Sequence, residues 1–575
     1  MLNKFCSLSQ KGEAVWINDI RAAFDADKNA RPLALRLTCL DGSGRGYGCP
    51  VPHWSNAQER GFVRDYLTAR IFNVLSCWSG RELTVYFDTN DSEMAALVEE
   101  CIAAFRNVPG LKKVLNVAAR LCRGTGNAPF EMKISDIAAM SELKSTAAKA
   151  VGQLGDKLRA AVDGCAHGAY CGMDVGGTDI KLAVSLDGRL VAVKEYDWNP
   201  AASPTAEGIT EPMLRLIRLM RACVIADGMP EDAECQHLLA AALRKDAADV
   251  EMDAAIIACE SAAAELPLFS GIGLSFPDVV INDRILGGET PKTKGMRENT
   301  ALDYEMEFAK LAAVGESMGR YCVDGVKVRI INDGPMAAFS AAAELAQDGD
   351  TQLGESGVIA HSLGTDLGSG WIKADGEIPA IPLELYDLLL DLGSAKQKEY
   401  APEDLRSVRN ENSGLAGVRR YLGQAAAYRM AQQLEPALLD GFTEERGDVL
   451  SIITAPEDMR KPCLEHIMNA ATYGDEAACE IFRRVGANLA QLTKEMEYLL
   501  DTGTDRRFLF GRFVKNESCF RLIREGFAEV MPEVSLIAAD DGLARSGLMR
   551  QLAAREDVTV AQFAQAVSAI YYSRM

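Results

Sequence analysis

The sequence lacks the features that mark membrane, secreted and zinc-binding proteins. No apolar run in its 575 residues is long enough to cross a bilayer, and the first residues have no apolar signal-peptide core. The fifteen cysteines are scattered without a CxxC pair, and the five histidines are isolated. This pattern argues against a disulfide framework and against a structural zinc site. We therefore expect a cytoplasmic protein with reduced thiols, no membrane contact and no structural zinc.

The net charge is strongly acidic and unevenly distributed. Its formal value is −21, and the excess of acidic residues lies after residue 165. An acidic surface disfavours nonspecific binding to nucleic acid or to anionic membranes. Nucleotide binding stays compatible with it, because a nucleotide site needs only a few local donors. Residues 1–165 are nearly neutral, so a DNA-binding function could be argued only for this part of the chain.

The length predicts several domains, because one compact core rarely grows to 575 residues. Residues 1–165 have the pattern of a mixed α/β domain. We predict strands at 32–39 and 82–88, helices at 57–77 and 92–105, and a loop at the glycine-rich stretch 41–46. Residues 166–345 and 346–575 are predicted to form two further domains.

A candidate helix-turn-helix lies at residues 133–154, where apolar side chains fit helix, short turn, helix. The alternative is an αα-hairpin or a linker helix leading into the next domain. The second predicted helix has only Lys144 and Lys149 as basic residues in its first half, with no arginine or asparagine to read bases. This composition favours the linker.

From residue 170 the pattern changes to strands alternating with alanine- and leucine-rich helices, which is typical of α/β enzymes. Strands are predicted at 170–175, 180–186, 189–194, 271–276, 328–332, 357–362 and 506–510, and helices at 212–226, 233–264 and 473–500.

The most informative segment runs from Asp174 to Lys181, with the sequence Asp-Val-Gly-Gly-Thr-Asp-Ile-Lys. Two glycines and a threonine between strand-like runs predict a phosphate-binding hairpin, since glycine lets the backbone approach phosphate oxygens closely. Asp174 stands where a hydrated Mg²⁺ would be held. Taken alone, the segment fits an ordinary hairpin equally well.

Two later segments add to this hairpin. A buried strand ends in Asn332-Asp333, where a carboxylate facing a cleft could accept a proton from a substrate hydroxyl. Alternatively, Asp333 only caps the helix that follows. The second segment holds Gly364, Thr365, Gly368 and Gly370 between two strand-like runs, and it predicts a second phosphate-binding turn.

Lys292 and Lys294 follow another strand-edge turn, after the motif Gly271-Ile-Gly-Leu-Ser-Phe-Pro277. These two lysines could bind an anionic substrate that accepts the phosphate. The alternative is that both are ordinary solvated surface lysines.

The motif order DxGGT, GxGxSxP, NDxxxAA, GTxxGxG resembles that of the ROK sugar kinases over roughly residues 168–555. The resemblance implies an α/β fold of two RNase H-like lobes, the actin-like ATPase fold, around a central cleft. A separate mixed α/β N-terminal domain would precede the lobes. ATP and Mg²⁺ would be the cofactors, a sugar-like molecule the substrate, and a homodimer the assembly.

The resemblance also implies site residues. Asp333 would be the general base, Asn332 would bind the sugar, and Asp174 would associate with Mg²⁺ through water. The remaining nucleotide-binding residues would be Gly176, Gly177, Thr178, Lys181, Gly364, Thr365, Gly368, Gly370 and, in the adenosine-side turn 508–513, Gly511. Residues 538–547 resemble the last hinge segment of the family.

The chain departs from the family pattern at three places. The sugar motif Gly-Glu-x-Gly-His is replaced by residues 382–387, where Glu384 and Asp387 are the expected substrate-binding residues. The segment at 412–421 has no cysteine where the family has a zinc loop. Arg512 stands where a second glycine is expected. The phosphate-transfer residues thus resemble the family better than the sugar pocket does, which predicts a changed acceptor.

The leading functional hypothesis is an ATP-dependent carbohydrate kinase. A sugar-sensing ROK-type transcriptional regulator is one alternative, since residues 133–154 precede the kinase-like region. A non-catalytic sensor of sugar or nucleotide is the other. We do not expect nucleic acid to be a partner, because of the acidic charge and the weakly basic second helix.

Overall fold

The computed structural model describes residues 1–140, 152–230, 234–288, 290–393, 404–406, 416–539 and 543–575. The chain divides into two compact units. Unit 1 comprises Met1–Ala148, Ser362–Gly368 and Ile381–Ala538, and unit 2 comprises Lys149–His361, Ser369–Ala380 and Ala539–Met575. Both units are mixed α/β structures with parallel and antiparallel strand pairs.

The N-terminal part of unit 1 forms a four-stranded sheet in the order β2-β1-β3-β4. Strand β1 pairs antiparallel with β2 and β3, and β3 pairs parallel with β4. Its elements are α1 (Leu2–Gln10), α2 (Ile17–Asp25), β1 (Leu33–Thr38), β2 (Gly44–Gly48), α3 (Ala57–Trp78), β3 (Glu82–Phe87), α4 (Ser92–Asn107), α5 (Pro109–Gly124) and β4 (Glu131–Asp136). Helix α3 is buried along most of its length after Phe62, which explains its lack of a polar face.

Strand β4 corrects the helix-turn-helix interpretation. Residues 133–136 belong to a strand and Ile137–Ala139 to a 3-10 turn, whereas a helix was predicted. The parallel pairing with β3, in which Ile134 lies opposite Val85, overrides the local helical pattern. Residues 141–151 of the predicted motif lie outside the described residues.

Unit 2 is built on a five-stranded sheet in the order β11-β8-β5-β6-β7. Strands β11, β8 and β5 are parallel, and β6 and β7 continue the sheet antiparallel. The elements of this stretch are α6 (Leu154–Asp163), β5 (Ala169–Val175), β6 (Asp179–Leu186), β7 (Arg189–Asp197), α7 (Glu207–Asp227), α8 (Glu234–Ala242), α9 (Asp249–Ala262), β8 (Gly271–Phe276), β9 (Val280–Ile281), β10 (Arg284–Ile285), α10 (Lys294–Glu298), α11 (Tyr304–Ala312), α12 (Val314–Gly319), β11 (Arg329–Asn332), α13 (Asp333–Gln347) and α14 (Leu353–Ser356).

The remaining elements complete both units. They are β12 (Val358–Leu363), β13 (Leu367–Ile372), β14 (Leu389–Asp391), β15 (Ala416–Gly417), α15 (Gln424–Leu434), β16 (Thr443–Arg446), β17 (Val449–Ile452), α16 (Arg460–Thr472), α17 (Glu476–Leu500), β18 (Arg506–Phe510), α18 (Glu517–Val530), β19 (Ser535–Ala538), α19 (Gly547–Ala553) and α20 (Val560–Tyr572). Strands β18 and β19 are parallel.

Glycines let the last helix pack directly on the sheet of unit 2. A Cβ at Gly172 of β5 would overlap the carbonyl oxygen of Ala566, and one at Gly273 of β8 would overlap that of Ala569. Both alanines belong to α20, so small residues on helix and strand allow an unusually close approach. Helices α7 and α9 contribute Leu216 and other buried apolar residues to the core of the same unit.

Buried polar contacts join the N-terminal sheet region to the later part of unit 1. Arg70 of α3 forms a fully buried ion pair of 3.2 Å with Glu495 of α17. The side chain of Asn73 donates to the carbonyl oxygen of Leu389 at 3.0 Å and to Glu495 at 3.0 Å. The predicted boundaries after residues 165 and 345 therefore differ from the two units observed, because these contacts place residues 1–148 in the unit that contains 381–538.

Two element predictions are corrected in detail. The helix predicted over 233–264 is two helices, α8 and α9, because the chain turns at 243–248; residue 233 itself lies outside the described residues. The loop predicted at 41–46 includes the start of β2, which pairs with β1. Residues 412–415 and 540–542 of two predicted family segments also lie outside the described residues. Within the described ranges, no helix has the length and apolar character needed to span a membrane.

Candidate functional site

The predicted phosphate-binding hairpin is a tight turn between β5 and β6. The amide of Gly176 donates to the carbonyl oxygen of Asp179 at 2.7 Å and closes the turn. Strand pairing then begins at once, with Val175 opposite Ile180. A Cβ at Gly176 would lie 2.8 Å from the Asp179 carbonyl oxygen, whereas one at Gly177 would meet only the Lys292 side chain, at 3.5 Å. Glycine is therefore sterically required at the first position of the pair.

The tip of the hairpin presents unused donors. Gly177 and Thr178 are exposed, and no described residue accepts a hydrogen bond from either amide. The carbonyl oxygens, by contrast, are occupied: the Trp198 indole donates to that of Gly176 at 3.1 Å, and the Trp198 amide to that of Thr178 at 3.0 Å. A turn with held carbonyls and free amides is suited to binding an anion.

Asp174 lies at the carboxyl end of β5, beside the hairpin. Lys181 is directly opposite it on β6, and Ser275 is opposite it on β8. Burial raises the pKa of Asp174 to about 6, although the Lys181 ammonium and the Ser275 hydroxyl act in the other direction. The Lys181 ammonium itself pairs with Asp179 of the same hairpin, so this lysine already has an intramolecular partner.

Asn332 and Asp333 lie where β11 ends and α13 begins. The Asn332 side chain caps α13 by accepting from the Gly334 amide at 2.9 Å, and it donates to the carbonyl oxygen of Asp278 at 2.7 Å. Asn332 rather than Asp333 is thus the N-cap residue. The carboxylate of Asp333 is half-buried and accepts from the Gly334 amide at 2.9 Å. A carboxylate can accept several hydrogen bonds, so it keeps capacity for further donors.

The two carboxylates belong to one electrostatic cluster. Strands β5, β8 and β11 are adjacent and parallel, so Asp174 and the residues after β11 meet at the same edge of the sheet, roughly 10 Å apart across two strand spacings. Burial also raises the pKa of Asp333, and the charge of Lys292 is the strongest influence that opposes the rise. The negative charge of Asp333 in turn contributes to the raised pKa of Asp174.

The loop after β8 carries Lys292 and is firmly anchored. The buried carboxylate of Asp278 accepts from the Gly288 amide at 2.8 Å. The carbonyl oxygen of Gly288 accepts from Thr293 at 3.1 Å, from Arg297 at 3.0 Å, and from the Tyr304 hydroxyl. These bonds fix the backbone on both sides of Lys292.

Gly370 has a packing role in unit 2. A Cβ there would overlap the carbonyl oxygen of Gly334, and a Cβ at Gly334 would overlap that of Ser369. Strand β13 therefore lies directly against the first turn of α13, the turn that carries Asp333. This close approach leaves room only for glycine at position 370, which the sequence analysis predicted to be a phosphate-binding residue.

The other predicted nucleotide-binding residues, Gly364, Thr365, Gly368 and Gly511, lie in unit 1. The Gly364 amide donates to the Asp366 carbonyl oxygen at 3.0 Å, and the Gly364 carbonyl oxygen accepts from the amide of Gln424, the first residue of α15. Gly511 has φ = 102°, and a Cβ there would overlap the Leu363 carbonyl oxygen. The predicted adenosine-side turn is therefore in direct contact with Leu363, the residue just before the predicted second turn.

The two residues predicted to bind substrate, Glu384 and Asp387, also lie in unit 1. Asp387 is buried and forms an ion pair with Lys113 at 2.7 Å and with Arg419 at 3.6 Å. Lys113 belongs to α5, so the N-terminal region supplies a partner to this predicted substrate-binding residue. The Glu384 amide donates to the Ser76 carbonyl oxygen of α3 at 3.1 Å.

The structure thus brings together Asp174, the 176–178 hairpin, Lys181, Asn332 and Asp333 in unit 2. Asp278 was not predicted to be a site residue. In the sequence, its position just after the Ser-Phe-Pro turn is the one indication of its role. It also left the role of Lys292 undecided, because only the fold places this lysine beside Gly177.

The residues present fit a hydrated Mg²⁺ and nucleotide phosphates. Mg²⁺ is commonly held by one or two carboxylates together with water and substrate phosphates, and Asp174 is a half-buried carboxylate next to free amides. A nearby cation would favour the charged form of Asp174, whose pKa is otherwise raised. Among the described residues, no cluster of three or more His, Cys, Asp and Glu could hold a metal by itself, so water and phosphate oxygens would have to complete the shell.

Comparison with known proteins found no matching family model and no matching curated protein. Among solved structures, the chain is similar to a ROK family glucokinase from Streptomyces griseus, solved with glucose and AMPPNP, at 20% identity and TM-score 0.35, covering 67% of this chain and 98% of that one. It is also similar to a glucokinase from Balamuthia mandrillaris, solved with glucose, at 13% identity and TM-score 0.38, covering 69% and 97%.

A third similar structure is the ROK hexokinase from Thermus thermophilus, at 16% identity and TM-score 0.33, covering 67% of this chain and 96% of that one. Two of these three proteins are described as ROK members, the family that the motif order resembles. All three TM-scores are below 0.5.

Proposed function

We propose that the protein is an ATP- and Mg²⁺-dependent kinase that phosphorylates a hydroxyl group of a sugar or sugar-like substrate. The observation that carries this proposal is the arrangement at the edge of the unit 2 sheet. There, the free amides of Gly177 and Thr178 lie beside Asp174, and Asp333 follows the second strand along. An anion-binding turn next to two carboxylates supplies what phosphoryl transfer requires.

Asp333 is the proposed general base. The substrate hydroxyl oxygen attacks the γ-phosphorus of ATP while its proton passes to the Asp333 carboxylate, and the bond between the γ-phosphorus and the bridging oxygen breaks. The products are the phosphate ester and ADP. Burial supports this role, because a raised pKa brings the carboxylate of Asp333 closer to the value at which proton transfer is efficient.

Asp174 is the residue proposed to hold Mg²⁺ through bound water. The ion, when bound, would neutralise part of the charge on the phosphate oxygens. Lys181 keeps Asp179 paired and supports the charged form of Asp174. The amides of Gly177 and Thr178 would donate to phosphate oxygens.

The acceptor is proposed to differ from that of the family glucokinases. Asp387 replaces the family histidine and is paired with Lys113 and Arg419 in a buried position. A sugar hydroxyl would have to compete with two cations for this carboxylate, so we propose that nearby groups such as Glu384 take part in acceptor recognition. The sheet of unit 2, three parallel strands continued by two antiparallel ones, supports an RNase H-like lobe.

The experiment that tests this function is an ADP-release screen over sugars, amino sugars and sugar acids, followed by the Asp333→Asn variant on any acceptor found. Loss of a general base typically lowers the rate about 10²- to 10⁴-fold, and we expect nucleotide binding to persist. Glu298→Gln serves as the matched control, because Glu298 is an exposed carboxylate of the same unit in a surface ion pair.

Full activity of Asp333→Asn on an identified acceptor would refute the assignment of the base. Nucleotide binding without turnover on any acceptor would instead favour the non-catalytic sensor.

A further inference from the structure

We infer that Lys292 contacts the phosphoryl group that is transferred, and that its ammonium discriminates a nucleoside triphosphate from a diphosphate at the hairpin of unit 2. The inference rests on the proposed function and adds to it a catalytic residue outside the four motifs.

Position is the first argument. Lys292 is more than one hundred residues from Gly177 in sequence, yet its Cε lies within van der Waals distance of where a Cβ on Gly177 would stand, at 3.5 Å. The tip of the hairpin, with its free amides, is therefore within reach of the ammonium. A lysine next to free backbone amides is a combination that binds phosphate, the lysine acting as a point charge.

Charge is the second argument. Lys292 is half-buried, and no described residue forms an ion pair with it. Lys294, two residues further on, is exposed and pairs with Glu298 at 3.7 Å. The positive charge of Lys292 also opposes the rise in the pKa of Asp333, the proposed base. A cation beside an anion-binding turn that also acts on the proposed base is suited to stabilise the negative charge that develops on the transferring phosphoryl group.

The third observation is that hydrogen bonds hold the backbone from which Lys292 extends toward the hairpin. The carbonyl oxygen of Asp278 accepts from Asn332, and its carboxylate accepts from the Gly288 amide. The Arg297 guanidinium donates to the carbonyl oxygens of Gly288 and Thr290. A continuous set of hydrogen bonds therefore connects the loop of Lys292 to the residue that precedes Asp333.

The test measures equilibrium binding of two probes, Mg²⁺ with AMPPNP and Mg²⁺ with ADP, to the full-length protein. Loss of a hydrogen bond to a charged group is expected to weaken AMPPNP binding about tenfold to hundredfold in Lys292→Met. ADP binding should change less than about twofold. Lys327→Met is the control, because Lys327 is an exposed lysine of the same unit, and it should leave both affinities unchanged. Thermal unfolding of each variant shows whether the fold persists.

The outcomes separate the inference from the proposed function. Equal weakening of AMPPNP and ADP binding by Lys292→Met, or no weakening of either, overturns the contact with the transferred phosphoryl group while leaving nucleotide binding established. If the wild-type protein binds neither probe, the proposed function fails first and the inference fails with it. Lys292→Arg keeps the charge and should recover most of the AMPPNP affinity; if it does not, the ammonium charge is not the cause.

Discussion

The two neighbouring glycines of the hairpin should differ in how much the same substitution costs. In Gly176→Ala the new methyl group would lie 2.8 Å from the carbonyl oxygen of Asp179 and 2.8 Å from its carboxylate. Ordinary van der Waals contact begins near 3.4 Å, so the turn must open by about 0.6 Å. In Gly177→Ala the methyl group would meet only the flexible end of Lys292, at 3.5 Å, which needs no movement.

The cost can be estimated from this geometry. The opening of the turn strains the 2.7 Å hydrogen bond between the Gly176 amide and the Asp179 carbonyl oxygen. Overpacking of this kind costs about 1–3 kcal/mol. This free-energy cost can appear in folding or in nucleotide binding. If the turn stays closed and strained, the protein is less stable; if the turn opens, its amides move away from the phosphate and binding is weaker. For Gly177→Ala we expect a combined cost below about 0.5 kcal/mol.

Two measurements on each variant check the estimate. Calorimetric titration with Mg²⁺ and ADP gives the change in binding free energy, and urea unfolding gives the change in stability. For Gly176→Ala the two changes should sum to about 1–3 kcal/mol. Similar sums for both variants would contradict this prediction, because they would show that the close backbone approach at Gly176 does not make its substitution more costly than that of Gly177.

Two further predictions concern the core and the pH dependence. Arg70→Met should lower the free energy of unfolding by about 1–3 kcal/mol, because it removes one cation from the buried carboxylate of Glu495, which keeps Arg21 and Asn73 as partners. A loss below about 0.5 kcal/mol in urea unfolding would contradict this. Burial raises the pKa of Asp333, and a general base acts in its charged form. Activity should therefore be lost as the pH falls through this raised pKa. We expect the acid limb of the kcat/KM profile to lie above the ordinary aspartate pKa of about 3.9. A limb at or below pH 3.9 would count against Asp333 as the base.

Much of the site could be predicted from the sequence because its signals are local. The Gly-Gly-Thr turn and the Asn-Asp strand end each consist of a strand followed at once by polar or glycine residues. Strand β5, strand β11 and the hairpin between β5 and β6 were all expected within a residue or two of where they lie. Local spacing also predicted Asp333 at the start of a helix, although the cap itself proved to be Asn332.

Other features depend on contacts that no local pattern contains. Residues 133–136 form a strand because β3 offers it a parallel partner. Gly370 is needed because β13 lies against α13, and Asp387 is buried because Lys113 from the N-terminal region reaches it. In each case the partner is distant in the chain, so periodicity and motif spacing could not reveal it.

Local propensities alone locate the seven strands predicted after residue 170 and the hairpin with its neighbouring carboxylates, because these follow from patterns within a few residues. Which groups remain available to bind a ligand depends instead on contacts between residues that are distant in the chain. In the folded protein, the side chains of Asn332 and Lys181 already have intramolecular partners. The tertiary structure also brings Lys292 to the hairpin, since packing across the sheet determines which distant side chains meet.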